Sequence, residues 1–121
     1  MKEEEKVRDV VVIGCGFGGI ISALKLKEKG ILLFDIIEKS SDIGGTWNDN
    51  TYPECGCDVP SYLYSISFIN KCVWTRKWAK QDEIKKYLQQ IVKDYKLQRH
   101  INLNTSLVKA EWLPSESLWK L

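Results

Sequence analysis

The sequence predicts an α/β fold that begins with a strand–helix–strand unit, and three observations support this prediction. Residues 8–13 are predicted to form a strand, because they carry a continuous run of β-branched residues without alternation, which is typical of a parallel strand buried on both faces. A helical apolar pattern follows over residues 17–29 and ends at Gly30, the residue type that most often follows a helix. A second apolar run over residues 31–38 ends in Glu38. Segments in this order form the βαβ unit of a parallel sheet.

The turn between the first strand and the helix has the pattern Gly14-x-Gly16-x-x-Gly19. Gly14 permits a sharp turn, Gly16 permits bare backbone to approach a pyrophosphate, and Gly19 permits close packing of the helix on the sheet. The predicted helix begins at Phe17, and its N-terminus would offer unpaired N–H groups to phosphates. Glu38 lies 24 residues after Gly14, near the offset at which a carboxylate binds ribose hydroxyls.

The alternative is an ordinary βα turn, with Glu38 as a solvated charge at the end of a strand. The complete order of strand, glycines, helix, strand and acid favours a dinucleotide-binding unit over that alternative.

Composition limits the other possibilities. The chain has 121 residues, 44% hydrophobic and 28% charged, as expected of one globular domain at most. Its net charge of +2 is scattered, and no basic patch is interleaved with aromatic residues, which argues against a nucleic-acid partner. No apolar run approaches the roughly 20 residues of a membrane span, and the acidic start resembles neither a signal nor a transit peptide. We therefore expect a cytoplasmic chain.

The cysteines are expected to be reduced in that compartment. Cys15 lies inside the glycine turn, where a small packing residue is needed. Cys55-x-Cys57 differs from the C-x-x-C of zinc and redox sites. A zinc site of Cys55, Cys57, Cys72 and His100 is conceivable, but its spacings match no common pattern, and we predict no metal.

Three further elements are predicted beyond the βαβ unit. An amphipathic helix spans residues 82–97, with Asp82 as its N-cap and with Tyr87 and Tyr95 in the core rather than in contact with a cofactor. A short third strand covers residues 101–104. Residues 107–113 and 117–121 form a C-terminal hairpin packed by Trp112 and Trp119.

Residues 39–81 form an insertion that is too long for an ordinary loop and too rich in Trp, Tyr and Phe to be disordered. Within it stand Gly44-Gly45-Thr46-Trp47, then Tyr52-Pro53, and then residues 57–68, which read CDVPSYLYSISF. Together with Glu38-Lys39 upstream, these motifs resemble the N-terminal FAD-binding region of Baeyer–Villiger monooxygenases, which belong to the class B flavin monooxygenases. The similarity runs from residue 8 to the end of the chain and includes Trp78-Ala79, His100-Ile101 and Ala110-Glu111-Trp112.

The resemblance implies that residues 1–121 are a partial, Rossmann-like FAD-binding domain. Asp58 matches an aspartate that lies near the isoalloxazine and orients an active-site arginine, so it is the one catalytic candidate. Tyr64 matches a tyrosine that contacts FAD, and Leu107 matches a position whose backbone meets the adenine. The full set of expected cofactor contacts is Gly14, Gly16, Phe17, Gly19, Glu38, Lys39, Gly44, Gly45, Thr46, Trp47, Asp58, Tyr64 and Leu107.

Structural alternatives exist for several of these residues. Gly44-Gly45 could be a simple turn, and Trp47 and Tyr64 could be core residues. Asp58 could be a capping residue, although its apolar surroundings predict partial burial and a partner. Family members carry small residues after Tyr-Pro, whereas this chain has Glu54-Cys55, which alters the charge near the flavin's edge.

The family's activity requires parts that these 121 residues do not contain. In the family, NADPH reduces FAD, and the flavin then activates O2 to attack a ketone or a soft heteroatom. A second GxGxxG unit, a fingerprint with His and Trp-Pro, the active-site arginine and the closing strand of the sheet do not occur in this sequence. We therefore expect a portion of a longer monooxygenase, with an open sheet edge and an uncovered apolar face. The alternatives are a non-catalytic nucleotide-binding module and, disfavoured by the insertion, a plain NAD-binding unit.

Overall fold

The computed structural model describes residues 5–69 and 74–121, and its centre is a three-stranded parallel sheet in the order β1-β2-β3. The strands are β1 (Val10–Ile13), β2 (Phe34–Ile37) and β3 (Ile101–Asn102). Helix α1 (Phe17–Glu28) connects β1 to β2, and Val10 pairs with Phe34 in the register of these two strands. The predicted α/β class and the βαβ unit are confirmed, with both strands shorter than the predicted ranges of residues 8–13 and 31–38.

The remaining elements follow the chain from β2 onwards. Helix α2 (Thr46–Asp49) is a single turn, and helix α3 (Gln81–Asp94) is followed by a 3₁₀ turn at Gln98–His100. Strands β4 (Glu111–Leu113) and β5 (Leu118–Lys120) form the predicted antiparallel hairpin. Within the described residues, no helix is long and apolar enough to cross a membrane.

One face of the sheet carries the core. Phe34 and Ile36 of β2 point towards α1 and α3 and are buried, and the ring of His100 stacks on Phe34 at a centroid distance of 3.9 Å. The helices contribute the residues that complete this core, namely Ile20, Ala23, Leu24, Ile84, Leu88, Ile91 and Val92.

The other face of the sheet is less covered, so the prediction of a first strand buried on both sides is wrong for the described residues. Ile13 of β1 is 53% exposed and Leu33, just before β2, is 50% exposed. The physical reason is that α1 and α3 both pack against the Phe34 face. The predicted uncovered apolar face is therefore present.

The helix ends explain where the sequence predictions succeed and fail. At the end of α1, Gly30 has φ +76°, its N–H donates to Lys27, and the N–H of Ile31 donates to Leu26. This is a Schellman turn, which confirms the predicted role of Gly30. A similar turn ends α3 on Lys96 at φ +54°, with the N–H of Leu97 donating to Val92, so α3 is shorter than its apolar pattern.

The predicted N-cap of α3 is wrong. Lys80 occupies that position with extended backbone and without a side-chain cap, because it pairs with Gly56 in an isolated bridge. Helix α3 therefore starts directly at Gln81, and Asp82 lies in its first turn, where its carboxylate accepts a hydrogen bond from Arg76 at 3.0 Å.

The described part of the insertion is folded, as its aromatic content predicts. Its backbone pairs with the segment that leads into α3, through the N–H of Cys57 to Ala79 (2.8 Å) and the N–H of Ser61 to Lys77 (2.7 Å). Tyr87 of α3 packs against Trp74 and accepts the N–H of Ile66, which agrees with its predicted core role. Tyr95 is 41% exposed instead, since it follows the last turn of α3.

The hairpin is held by its own cross-strand pair. Trp112 faces Trp119 in the register of β4 and β5, with ring centroids 5.5 Å apart, which confirms the predicted packing. Most of its side chains are exposed, and Trp119 is 62% exposed.

Candidate functional site

The turn after β1 has the geometry that its glycines predict. Gly14 has φ +96°, in the left-handed region that favours glycine, and its N–H donates to Ile37 at 2.7 Å. A Cβ on Gly19 would lie 1.9 Å from the carbonyl oxygen of Gly14, so no side chain fits between α1 and the turn. The predicted close packing at Gly19 is therefore confirmed.

The N-terminus of α1 has open hydrogen-bond donors. Gly16 is the N-cap, and neither a capping side chain nor an acidic residue in the first turn neutralises this end. Within the described ranges, no acceptor is found for the N–H groups of Phe17, Gly18 and Gly19. Unpaired N–H groups and the positive end of the helix dipole make this end suited to an anion.

Glu38 is buried and is bound to the turn after β1. One carboxylate oxygen accepts the N–H of Cys15 at 2.8 Å, and the other accepts the N–H of Ser40 at 3.0 Å. Only 5% of the residue is exposed, so the alternative of a solvated strand-end charge is wrong. An ionised carboxylate has about four acceptor sites, which leaves capacity for further donors such as hydroxyl groups.

The side chain of Cys15 is a packing group. It is fully buried, and burial together with the nearby charges of Glu38 and Asp42 raises the pKa of its thiol to about 12. The thiolate is therefore disfavoured at neutral pH, in agreement with the predicted packing role.

The glycine loop, residues 44–47, lies against the turn after β1. The N–H of Gly44 donates to the carbonyl of Cys15 at 2.8 Å. Gly45 has φ +55°, and a Cβ added to it would lie 3.1 Å from the Cα of Gly16. The two loops therefore meet backbone to backbone, and a side chain on Gly45 would be both crowded by Gly16 and strained by the positive φ.

An aromatic cluster of Phe17, Trp47 and Tyr64 packs beside these loops. Trp47 is buried, and its indole N–H donates to the hydroxyl of Tyr64 at 3.0 Å. The ring of Tyr64 meets those of Trp47 and Phe17 edge to face, at 5.6 and 5.1 Å. The cluster ties the insertion to the N-terminus of α1, whereas the contacts of Trp47 and Tyr64 with a cofactor stay predictions.

The other predicted site residues are more exposed. Lys39 and Thr46 are exposed beside Glu38 and the glycine loop. The backbone leading to Leu107 passes the same end of the sheet, since the N–H of Thr105 donates to the carbonyl of Glu38 at 2.9 Å. Leu107 itself is 38% exposed.

Asp58 is exposed, so the prediction of partial burial with a partner is wrong. Its apolar neighbours Val59, Tyr62 and Leu63 are exposed as well. No hydrogen bond or ion pair of the Asp58 carboxylate is formed within the described ranges.

Sequence reasoning missed a polar stripe on α3 that faces the glycine loop. Lys85 donates to Asn48 at 2.8 Å and forms an ion pair with Asp42 at 2.9 Å. Burial acts to raise the pKa of Asp42, but hydrogen bonds from Lys85 and the Ile43 N–H hold that pKa below its usual value. The i, i+4, i+8 spacing of Gln81, Lys85 and Gln89 was the available signal.

The described residues contain no cluster of three or more potential metal ligands. Of the residues in the conceivable zinc site, Cys72 lies outside the described ranges. The Nδ1 atom of His100 lies 2.9 Å from the carbonyl oxygen of Phe34, and Cys55 is buried.

Comparison with known protein families identifies the family of this chain. The model of the NAD(P)-binding Rossmann-like domain matches residues 12–81, which is more than half of the sequence. The chain belongs to this family. The matched range contains the turn after β1, Glu38 and the glycine loop.

Curated relatives match all or nearly all of the chain but are much longer. A Baeyer-Villiger monooxygenase of Streptomyces coelicolor is 38% identical over 124 residues, covering 100% of this chain and 24% of that protein. A Baeyer-Villiger monooxygenase of Pseudomonas aeruginosa is 45% identical over 112 residues, covering 93% of this chain and 21% of that protein. The predicted resemblance is confirmed, and the chain spans about a quarter or less of these relatives' length.

Solved structures agree with the fold. Cyclohexanone monooxygenase from Rhodococcus sp. Phi1 bound to NADP+ superimposes with a TM-score of 0.91 at 37% identity, over 96% of this chain and 23% of that one. An oxidised steroid monooxygenase bound to NADP gives 0.88 at 34% identity, over 93% of this chain and 22% of that one.

Proposed function

We propose that this chain is the FAD-binding portion of a flavin- and NADPH-dependent monooxygenase of the Baeyer–Villiger type. The observation that carries the proposal is the junction at Cys15. Its N–H donates to the Glu38 carboxylate and its carbonyl accepts the N–H of Gly44, so three segments with cofactor-binding chemistry meet at one residue. Relatives named as Baeyer-Villiger and FAD-binding monooxygenases over nearly the whole chain support it.

The residues present fit FAD. The open N–H groups of Phe17, Gly18 and Gly19 would receive the pyrophosphate, since no side chain competes for them among the described residues. The Glu38 carboxylate would accept ribose hydroxyls with its unused acceptor sites. The bare backbone of Gly44 and Gly45 would line the path of the cofactor next to the pyrophosphate.

When bound, FAD would accept a hydride and pass electrons to oxygen, and this chain's share is to bind and orient it. The cluster of Phe17, Trp47 and Tyr64 would fix the wall of the site beside the flavin. Asp58, exposed and without a partner in the described residues, would be available to orient an arginine from another part of a longer protein.

NADPH and the substrate would be bound by parts of a longer protein. The sequence has one GxGxxG turn, which this proposal assigns to FAD. Two solved relatives are bound to NADP, and one of them is a cyclohexanone monooxygenase, which supports NADPH as reductant and a ketone or heteroatom compound as substrate.

A second candidate is a non-catalytic nucleotide-binding module. The uncovered sheet face with exposed Ile13 and Leu33 favours the first candidate, since an apolar face of this kind suits packing against further protein. The two differ in activity, since only the first predicts a longer protein that oxygenates a substrate with NADPH.

A titration of the chain with FAD, followed by flavin fluorescence, tests the binding step. The Gly16→Val variant should lose FAD binding, because its branched side chain would lie where the turn after β1 meets the glycine loop and where the pyrophosphate would bind. Ala110→Val adds similar bulk at an exposed position outside the site and should bind like the wild type. Equal FAD dissociation constants for Gly16→Val and the wild type would contradict the proposal.

A further inference from the structure

The glycine loop is held from outside by helix α3. The side-chain amide of Gln81 donates to the carbonyl of Trp47, at the end of the loop. One helical turn later, Lys85 reaches the same segment, and another turn later the amide of Gln89 donates to Asp42 at 3.3 Å. Three residues at i, i+4 and i+8 therefore present one polar face of α3 to the segment that contains the loop.

Lys85 is the centre of this face because it bridges the two flanks of the loop. Its ammonium contacts Asp42, two residues before Gly44, at 2.9 Å, and Asn48, one residue after Trp47, at 2.8 Å. Asp42 also accepts the N–H of Ile43 at 2.7 Å, which fixes the carboxylate relative to the backbone. The Lys85 side chain is only 25% exposed, so the bridge is partly shielded from solvent.

The loop needs such support because its own sequence is permissive. Gly44 and Gly45 have φ of +125° and +55°, and glycine has the largest conformational freedom to lose on ordering. A bridge between the flanks restricts that freedom in the free protein, so less ordering is left for the binding step.

We infer that Lys85 is a positioning residue for the cofactor: by bridging Asp42 and Asn48 it holds Gly44 and Gly45 against the turn after β1 before FAD binds. The inference rests on the proposed function. Lys85 acts through the loop, and its effect on the cofactor is indirect.

Variants of Lys85, with a neighbouring lysine as control, test this. Lys85→Met removes the charge and keeps most of the packing volume, Lys85→Arg restores a cation, and Lys86→Met makes the same charge change at the neighbouring exposed position. Amide hydrogen exchange of residues 43–49 is measured without FAD, and FAD affinity is measured by fluorescence titration.

Lys85→Met should speed exchange at Gly44, Trp47 and Asn48, whose N–H groups are hydrogen-bonded within this region, and weaken FAD binding about tenfold. Lys85→Arg should restore most of both properties, and Lys86→Met should change neither. Asn48→Ala keeps the Asp42 pair and should give a smaller change in the same direction, which guards against a Lys85→Met variant that does not fold.

The outcomes separate the proposed FAD binding from the positioning role of Lys85. A wild-type chain that binds no FAD overturns the proposed function, and with it the cofactor role of the bridge. A wild-type chain that binds FAD while Lys85→Met binds it equally well overturns the inference alone. Unchanged exchange in Lys85→Met and Asn48→Ala shows that the loop is ordered without Lys85 and also overturns the inference.

Discussion

The carboxylate of Glu38 accepts the N–H of Cys15 at 2.8 Å, across 23 residues of sequence. An acid at the end of β2 thereby fixes the turn that follows β1. Since the carbonyl of Cys15 accepts the N–H of Gly44, the same residue also positions the glycine loop. Glu38 therefore has a structural role in the free protein besides its proposed contact with ribose.

The two roles predict that Glu38 variants lose folding stability and FAD affinity. In Glu38→Gln, one of the two backbone N–H groups would face an amide NH₂ instead of an acceptor, which should lower the free energy of unfolding by about 1–3 kcal/mol. Glu38→Ala should weaken FAD binding by roughly 1–3 kcal/mol, because the ribose hydroxyls would lose their carboxylate acceptor. Urea denaturation and FAD titration measure the two effects, with the exposed Glu116→Gln as control. Unchanged FAD affinity in Glu38→Ala would leave Glu38 with its structural role only.

Two adjacent glycines should respond in opposite ways to alanine. A Cβ on Gly19 would meet the Gly14 carbonyl oxygen at 1.9 Å, whereas a Cβ on Gly18 would have no heavy atom within 4 Å. Gly19→Ala should therefore destabilise the chain by several kcal/mol, roughly 3 or more, or prevent folding. Gly18→Ala should stabilise it by up to about 1 kcal/mol, because alanine is the better helix former. Thermal melts of the two variants decide this, and equal melting temperatures would show that the turn can move away.

The backbone of the site could be predicted from sequence because its determinants are local. The positions of Gly14 and Gly19 follow from the order of strand, turn and helix, and both have the predicted role. The contacts of Lys85 could not be predicted, because they join segments 37 and 43 residues apart, and a lysine on the polar face of an amphipathic helix does not reveal which residues it will contact.

The errors have a similar origin. Asp82 has the residue type of an N-cap, but the bridge between Lys80 and Gly56 extends the preceding backbone and moves the helix start. The burial of Asp58 was inferred from apolar neighbours, and those neighbours are themselves exposed in the described structure.

Glu54 stands where glycine would be easier to accommodate. Its φ is +66°, in the left-handed region, and its exposed carboxylate pairs with Lys80 at 2.8 Å. Glu54→Gly relieves the backbone and loses the ion pair, whereas Glu54→Ala loses only the ion pair. We expect the glycine variant to be more stable than the alanine variant by about 1 kcal/mol. Chemical denaturation measures the difference, and an alanine variant of equal or greater stability would contradict it.

The buried thiol of Cys15 predicts a stability change in alkaline solution. Its pKa is raised from 9.0 to about 12 in the folded chain, so between these values the unfolded chain releases a proton that the folded chain retains. The stabilising contribution is therefore complete below pH 9 and is lost as the pH rises towards 12. The free energy of unfolding, measured against pH for the wild type and Cys15→Ala, should show a gap between the two that narrows above pH 9. A gap independent of pH would mean that the thiol ionises equally in both states.

The chain alone should not act as a monooxygenase. The proposed reaction needs two dinucleotides, and the sequence has one glycine fingerprint, which the proposed function assigns to FAD. The open donors of α1, Glu38 and the glycine loop can support FAD affinity, because they lie within this chain. Nothing among the described residues is left to hold a nicotinamide against the flavin, and the sheet face with Ile13 is uncovered.

With excess FAD, the purified chain should consume NADPH no faster than free flavin does and should oxygenate neither a ketone nor a sulfide. NADPH absorbance and product chromatography measure both, with free FAD and the Gly16→Val variant as controls. Turnover that saturates with NADPH and is lost in Gly16→Val would show that a complete catalytic site lies within these 121 residues.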